Sequence, residues 1–165
     1  MNSTAQAGFE YLIEVIKDGV VIDREVAHNV MPTEGANQII SSALAGGSQV
    51  TTWYLGLYEG NYTPTIADTA ALLPGLAVEC TAYTDATRKV WTPGTVAGGS
   101  ASNSASKAEF TFNASKTVYG GFMTSAPAKG ATAGALVSVV RFPSPKVLDI
   151  DSILRVTAGI TLTPV

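Results

Sequence analysis

The stretch FEYLIEVIKDGVVIDREVAHN, residues 9–29, constrains the fold of this chain more than any other. Two β-branched runs meet at Asp18-Gly19. A two-residue turn between such runs needs positive φ at both central positions, which Asp tolerates and Gly adopts freely. The spacing therefore predicts a tight β-hairpin near the N-terminus. Its outer positions Glu14, Lys17, Asp23, Arg24 and Glu25 predict one solvated face. A lone hairpin is marginal in water, so further strands must cover its apolar face.

Those strands can be read downstream. WYLGLY at 53–58 alternates large groups on both faces and belongs inside a sheet. AVECTAYTDATRKVWTPG, KAEFTFNAS, KTVYGGFMTSA, GALVSVVRF, KVLDI and SILRVTAGITLTP are all short strand-like runs. Breaks separate them at TVAGGSASNSAS, at 113–116, at 127–134 and at Pro143-Ser-Pro145. PTEGANQIISSALAGG is the one convincing helix. There Pro32 opens the first turn, Thr33 or Glu34 serves the exposed donors, and Gly46-Gly47 stops it. Ile39, Ile40, Ala43 and Leu44 share a helical face that must pack on a sheet. A further short turn is expected at ADTAALLPG, capped by Asp68 and ended by Pro74. The expected architecture is mainly β: an antiparallel, jelly-roll-like β-sandwich with an N-terminal β-hairpin and one short helix. Residues 1–8 are expected as a mobile arm, and 9–165 as a single β-sandwich domain.

Little in the chain supports chemistry. Charged residues make up 14% of it, well below the roughly 25% of an average soluble domain. The net charge of −3 and the lack of basic runs argue against nucleic acid as a partner. No apolar run approaches the roughly 20 residues of a membrane helix, and the N-terminus lacks a signal-peptide pattern. His28 is the only histidine, so no zinc site of usual ligand spacing can be built. No nucleophile elbow is present either. Cys80 is single and reads as a small apolar side chain. Asp149 and Asp151 in VLDIDS read as a turn, with a calcium site or a carboxylate pair as the alternatives. The expectation is no enzyme, no cofactor and no bound metal.

What remains is surface. Tyr and Trp are favoured anchors of interfaces. Trp53 and Trp91 read first as core, with Trp91 kept as a contact residue in the alternative. Tyr58, Asn61, Tyr62, Thr63 and Pro64, at the start of a long uncharged loop over 59–75, are the other contact candidates. That loop, the stretch 92–106 and the N-terminal arm are the segments expected to reach neighbours.

The ordered blocks YLGLYEGNYTP, DATRKVW and VYGGFMTS lie within a longer match over roughly residues 28–163. Together they resemble a family of small virion proteins of tailed bacteriophages, similar to those encoded beside the major capsid protein. The hairpin over 9–27 departs from the family pattern. The resemblance implies a capsid decoration (cement) protein, made in the bacterial host cytoplasm and found on the capsid surface of the virion. It implies a homo-oligomer, a trimer, clamping neighbouring copies of the major capsid protein, with neither nucleic acid nor membrane as partner. It transfers no catalytic residue. The alternative is a tail, collar or fibre component contacting a host glycan or receptor.

Overall fold

In the computed structural model, which describes residues 6–163, Asp18 and Gly19 both take positive φ, 52° and 77°. They join β1 (Gln6–Lys17) to β2 (Val20–His28) as the predicted hairpin. Chain order then runs α1 (Thr33–Leu44), β3 (Trp53–Tyr58), α2 (Leu73–Leu76), β4 (Glu79–Cys80) and β5 (Lys89–Trp91). It closes with β6 (Ser100–Ser102), β7 (Ala108–Thr111), β8 (Lys116–Thr124), β9 (Leu136–Leu148) and β10 (Ile153–Thr163).

Among the described residues the strands form two antiparallel five-stranded sheets. Sheet A runs β2-β1-β10, with β6 and β7 both pairing β10. Sheet B runs β3-β8-β9, with β4 and β5 both pairing the other edge of β3. The first and last strands, β1 and β10, lie side by side over eleven residue pairs in the middle of sheet A. Between the sheets sits the main core. Phe9, Tyr11, Ile13 and Val15 alternate inward from β1, and Leu154, Val156 and Ala158 do so from β10. They meet Leu55, Leu57, Val118, Met123, Val140 and Phe142 of sheet B. This is the expected β-sandwich.

Several local expectations change. The arm was expected over 1–8; residues 6–8 belong to β1, and 1–5 lie outside the described residues. Glu14 is not solvated: it is buried on the outer face of sheet A, with Lys107 and Arg155 both 3.6 Å away. Asp23 and Glu25 point the other way, each 2.6 Å from Lys146 Nζ, a buried cation on β9. That contact closes one side of the sandwich by linking an edge strand of each sheet. Pro143 and Pro145 do not end a strand. Residues 142–145 bulge opposite Tyr119 alone, and β9 is an edge strand, where missing donors are tolerated. TVAGGSASNSAS is not wholly loop, because a tight turn at Gly98-Gly99 leads into β6. Most of 79–91 is irregular, with strand only at its ends.

The helix forms where expected, but its buried side differs. Gly35 faces β9 so closely that a Cβ there would stand 2.6 Å from Val137 Cα. Ile39 packs on the core, whereas Ile40 and Leu44 stay exposed. Neither Thr33 nor Glu34 caps the helix. Glu34 turns away, for a reason given below.

Candidate interaction surface

The outer face of sheet B is covered. β3 and β8 present Tyr58 and Phe122 on that face, beside glycines of the paired strand. The Phe122 ring lies over Gly56, where a Cβ would approach its atoms to 2.3 Å. The Tyr58 ring lies over Gly120, with a corresponding distance of 2.2 Å. Each glycine thus leaves room for an aromatic ring on the neighbouring strand. Tyr58 Oη donates to Val140 O at 3.0 Å. Burial pushes its phenol above the ordinary value, so it stays a neutral donor.

The segment 59–78 folds across these rings as a third layer. Ala70, Leu73 and Ala77 bury against Tyr58, Phe122, Leu136 and Val139 as a second small core. Polar anchors hold the layer down. Glu34 Oε2 accepts from the amides of Ala70 and Leu136, both at 2.8 Å, so one carboxylate ties the loop and β9 to α1. Asp68 is buried and accepts from Tyr62 Oη at 2.6 Å and from the Thr65 amide and hydroxyl. It organises the loop behind it and does not cap the turn ahead. Pro74 lies inside the first turn of α2, where its missing N–H costs nothing, and so begins that turn. Arg141 on β9 donates to Tyr62 O and to Asn61 Oδ1, both at 2.6 Å.

The two ends of the layer are latched. Glu59 N donates to Val78 O and Gly60 N donates to Ala77 O. Val78 takes φ of 56°, a left-handed conformation that is strained for a β-branched residue. The latch holds it there.

Beyond the polar Asn61, Thr63 and Thr65, the exposed side chains of residues 66–78 are apolar. Ile66, Leu72, Leu76 and Val78 are 68%, 54%, 55% and 49% exposed. Asp68, the only ionisable acid or base between residues 60 and 78 apart from tyrosine, faces inward. Apolar residues on both sides of a short helical turn are more than its own core requires. That pattern lies in ADTAALLPGLA, residues 67–77: Leu73 and Ala77 bury, while Leu72 and Leu76 stand out.

The contact candidates from the sequence divide accordingly. Asn61 and Thr63 are exposed, and Tyr62 and Pro64 are half-buried, all in this layer. Tyr58 is withdrawn as a surface contact because it is fully buried beneath the layer. Without it, Tyr58 and Tyr62 form no exposed stacking platform for a sugar. Trp91 sits apart on β5, half-buried, its Nε1 donating to Ala158 O at 2.9 Å. Trp53 likewise packs on the core, as the first reading of both tryptophans had it.

The polar residues weighed for chemistry do not converge. His28 pairs with Glu10 at one end of β1, and Asp149 binds Lys17 at 2.7 Å at the other, roughly 23 Å along the strand. Asp151 takes positive φ in the turn before β10 and donates its amide to Phe112 O at 2.8 Å. Cys80 is buried, and burial pushes its thiol up to about 11, far from a reactive thiolate. No protein-family model matches the chain, and no curated protein matches it.

Proposed function

We propose that this chain is a structural virion protein of a tailed bacteriophage, a decoration protein that binds the outer capsid surface as a trimer. In this reading the 59–78 layer docks against major capsid subunits. The observation that carries it is the exposed apolar stretch 66–78 of that layer, with Ile66, Leu72, Leu76 and Val78 all about half exposed or more and the one carboxylate, Asp68, turned inward. A rigid sandwich presenting apolar surface without charge is suited to a contact that water leaves. The resemblance of YLGLYEGNYTP to the phage virion family falls on the entry to the same layer. Copies arrayed on a lattice add weak contacts into high avidity.

Purified protein mixed with expanded and unexpanded shells tests this. Saturable binding to expanded shells at a fixed stoichiometry is expected, with extra density at threefold positions by electron microscopy. The double variant Leu72→Asp, Leu76→Asp should weaken binding about a hundredfold or more, since each buried Leu contributes roughly 1.5–3 kcal/mol. Its melting temperature should stay near wild type. Equal binding of wild type to shells and to a control protein surface would end the proposal.

A further inference from the structure

Away from the docking layer, at one end of the sandwich, the two sheets enclose a half-open cavity of about 110 Å³. Phe9 and Ile160 line it from sheet A, Trp53, Trp91, Met123 and Val137 from sheet B, and Ile39 from α1. None of these seven side chains carries a charge, hydroxyl or carbonyl. The indole N–H of Trp91 is already spent on Ala158 O at 2.9 Å, which also fixes the ring. Phe9 meets Trp91 edge-on, with centroids 6.5 Å apart, so two aromatic rings brace one wall. Trp53 pairs directly with Trp91 across the sheet, and these two, Ile39 and Ile160 are the half-buried members of the lining, whereas Phe9, Met123 and Val137 are buried.

The walls offer water no polar partner beyond neighbouring water, so an apolar guest gives up no hydrogen bond to the protein by displacing it, and apolar cavities of about 150 Å³ take up benzene or xenon. We propose that this cavity is a binding site for one small, uncharged apolar molecule no larger than benzene, entering among the half-buried Ile39, Trp53, Trp91 and Ile160. The size limit follows from the volume, and the exclusion of charged or hydroxylic ligands from the lining. The site is independent of the docking proposal.

Titration of the full chain with benzene, followed by NMR of the Met123 methyl and the Trp91 indole N–H, tests it. Saturable shifts at both groups with one molecule bound are expected, and benzoate should bind at least tenfold more weakly. Ile39→Phe should fill the space, raise the melting temperature and abolish the shifts. Ile160→Phe does the same from the opposite sheet should the helix variant fail to fold. Shifts that rise linearly without saturation would overturn the proposal, as would equal binding in a folded, cavity-filled variant.

Discussion

The outer faces of the two sheets solve the same problem in opposite ways. Sheet B carries aromatic rings outward and hides them under the 59–78 layer, stapled by the half-buried carboxylate of Glu34 and the buried one of Asp68. Sheet A carries a lattice of ions outward, in which Arg155 meets Glu109 at 2.7 Å and both remain partly solvated. The loop beside sheet A, residues 92–99, is exposed throughout and made of small residues with nothing to bury except Val96, which faces solvent. Both loops were expected to reach neighbours. Only the first combines a fixed shape with an apolar exterior, because only it has aromatic and aliphatic groups to anchor one side while another stays free.

The largest expected effect separates the ion pairs of the two faces. Arg88 is buried beneath the segment that follows β8. It binds Glu79 at 2.7 Å through Nη2 and donates to Ala126 O and Ala131 O. Arg88→Ala leaves Glu79 buried without its partner and should cost about 3–5 kcal/mol by urea denaturation. Glu109→Ala on sheet A, where both partners see solvent, should cost less than about 1 kcal/mol. Comparable losses would mean that the two faces are not built differently.

Glycine substitutions should divide the same way. Gly120→Ala drives a methyl into the Tyr58 ring and Val140 O, both 2.2 Å from its position, and should destabilise by roughly 1–3 kcal/mol. Gly94→Ala in the exposed loop meets only Ser102 O at 3.7 Å and should stay within about 0.5 kcal/mol. A smaller effect of opposite sign is expected at the latch. Val78→Gly relieves the left-handed strain at the cost of chain entropy and should raise stability by about 1 kcal/mol. Destabilisation there would show that the Val78 side chain holds the layer more than its backbone strains it.

The smallest effect is a pH dependence at the closed side of the sandwich. Burial alone would push the Glu25 carboxyl up, but hydrogen bonds from Lys146 and Ser144 together bring it below its ordinary value of 4.5. Because the folded value is the lower one, the stabilisation is present above pH 4.5 and is lost as pH falls through the depressed folded value. Melting temperature measured from pH 6 to 3 should therefore fall less steeply in Glu25→Gln than in wild type. Parallel curves would remove Glu25 from the account.

Much of this was legible in the residues, though unevenly. The Asp-Gly hairpin, the helix and the internal aromatic strand β3 follow from turn chemistry and period, which act over a few neighbours. The helix face was misread because Ile40 and Leu44 satisfy helical spacing as well as Ile39 does, and the spacing does not say which side meets a sheet. Gly35 decided that, through its backbone's approach to β9. Among the contact candidates, Asn61, Tyr62, Thr63 and Pro64 lie in the 59–78 layer, whereas Tyr58 is buried beneath it. A tyrosine in an alternating strand gives no sign of what will cover its face.

The sequence by itself determined an antiparallel β chain with one helix and a charge-poor loop after WYLGLY, since short-range backbone preference and residue type are local properties. Only the tertiary structure decided that the loop folds back as a third layer over sheet B, leaving Ile66, Leu72, Leu76 and Val78 outside. That choice depends on Glu34, Tyr58 and Gly120, which are far apart in the chain and meet only once the sheets have formed.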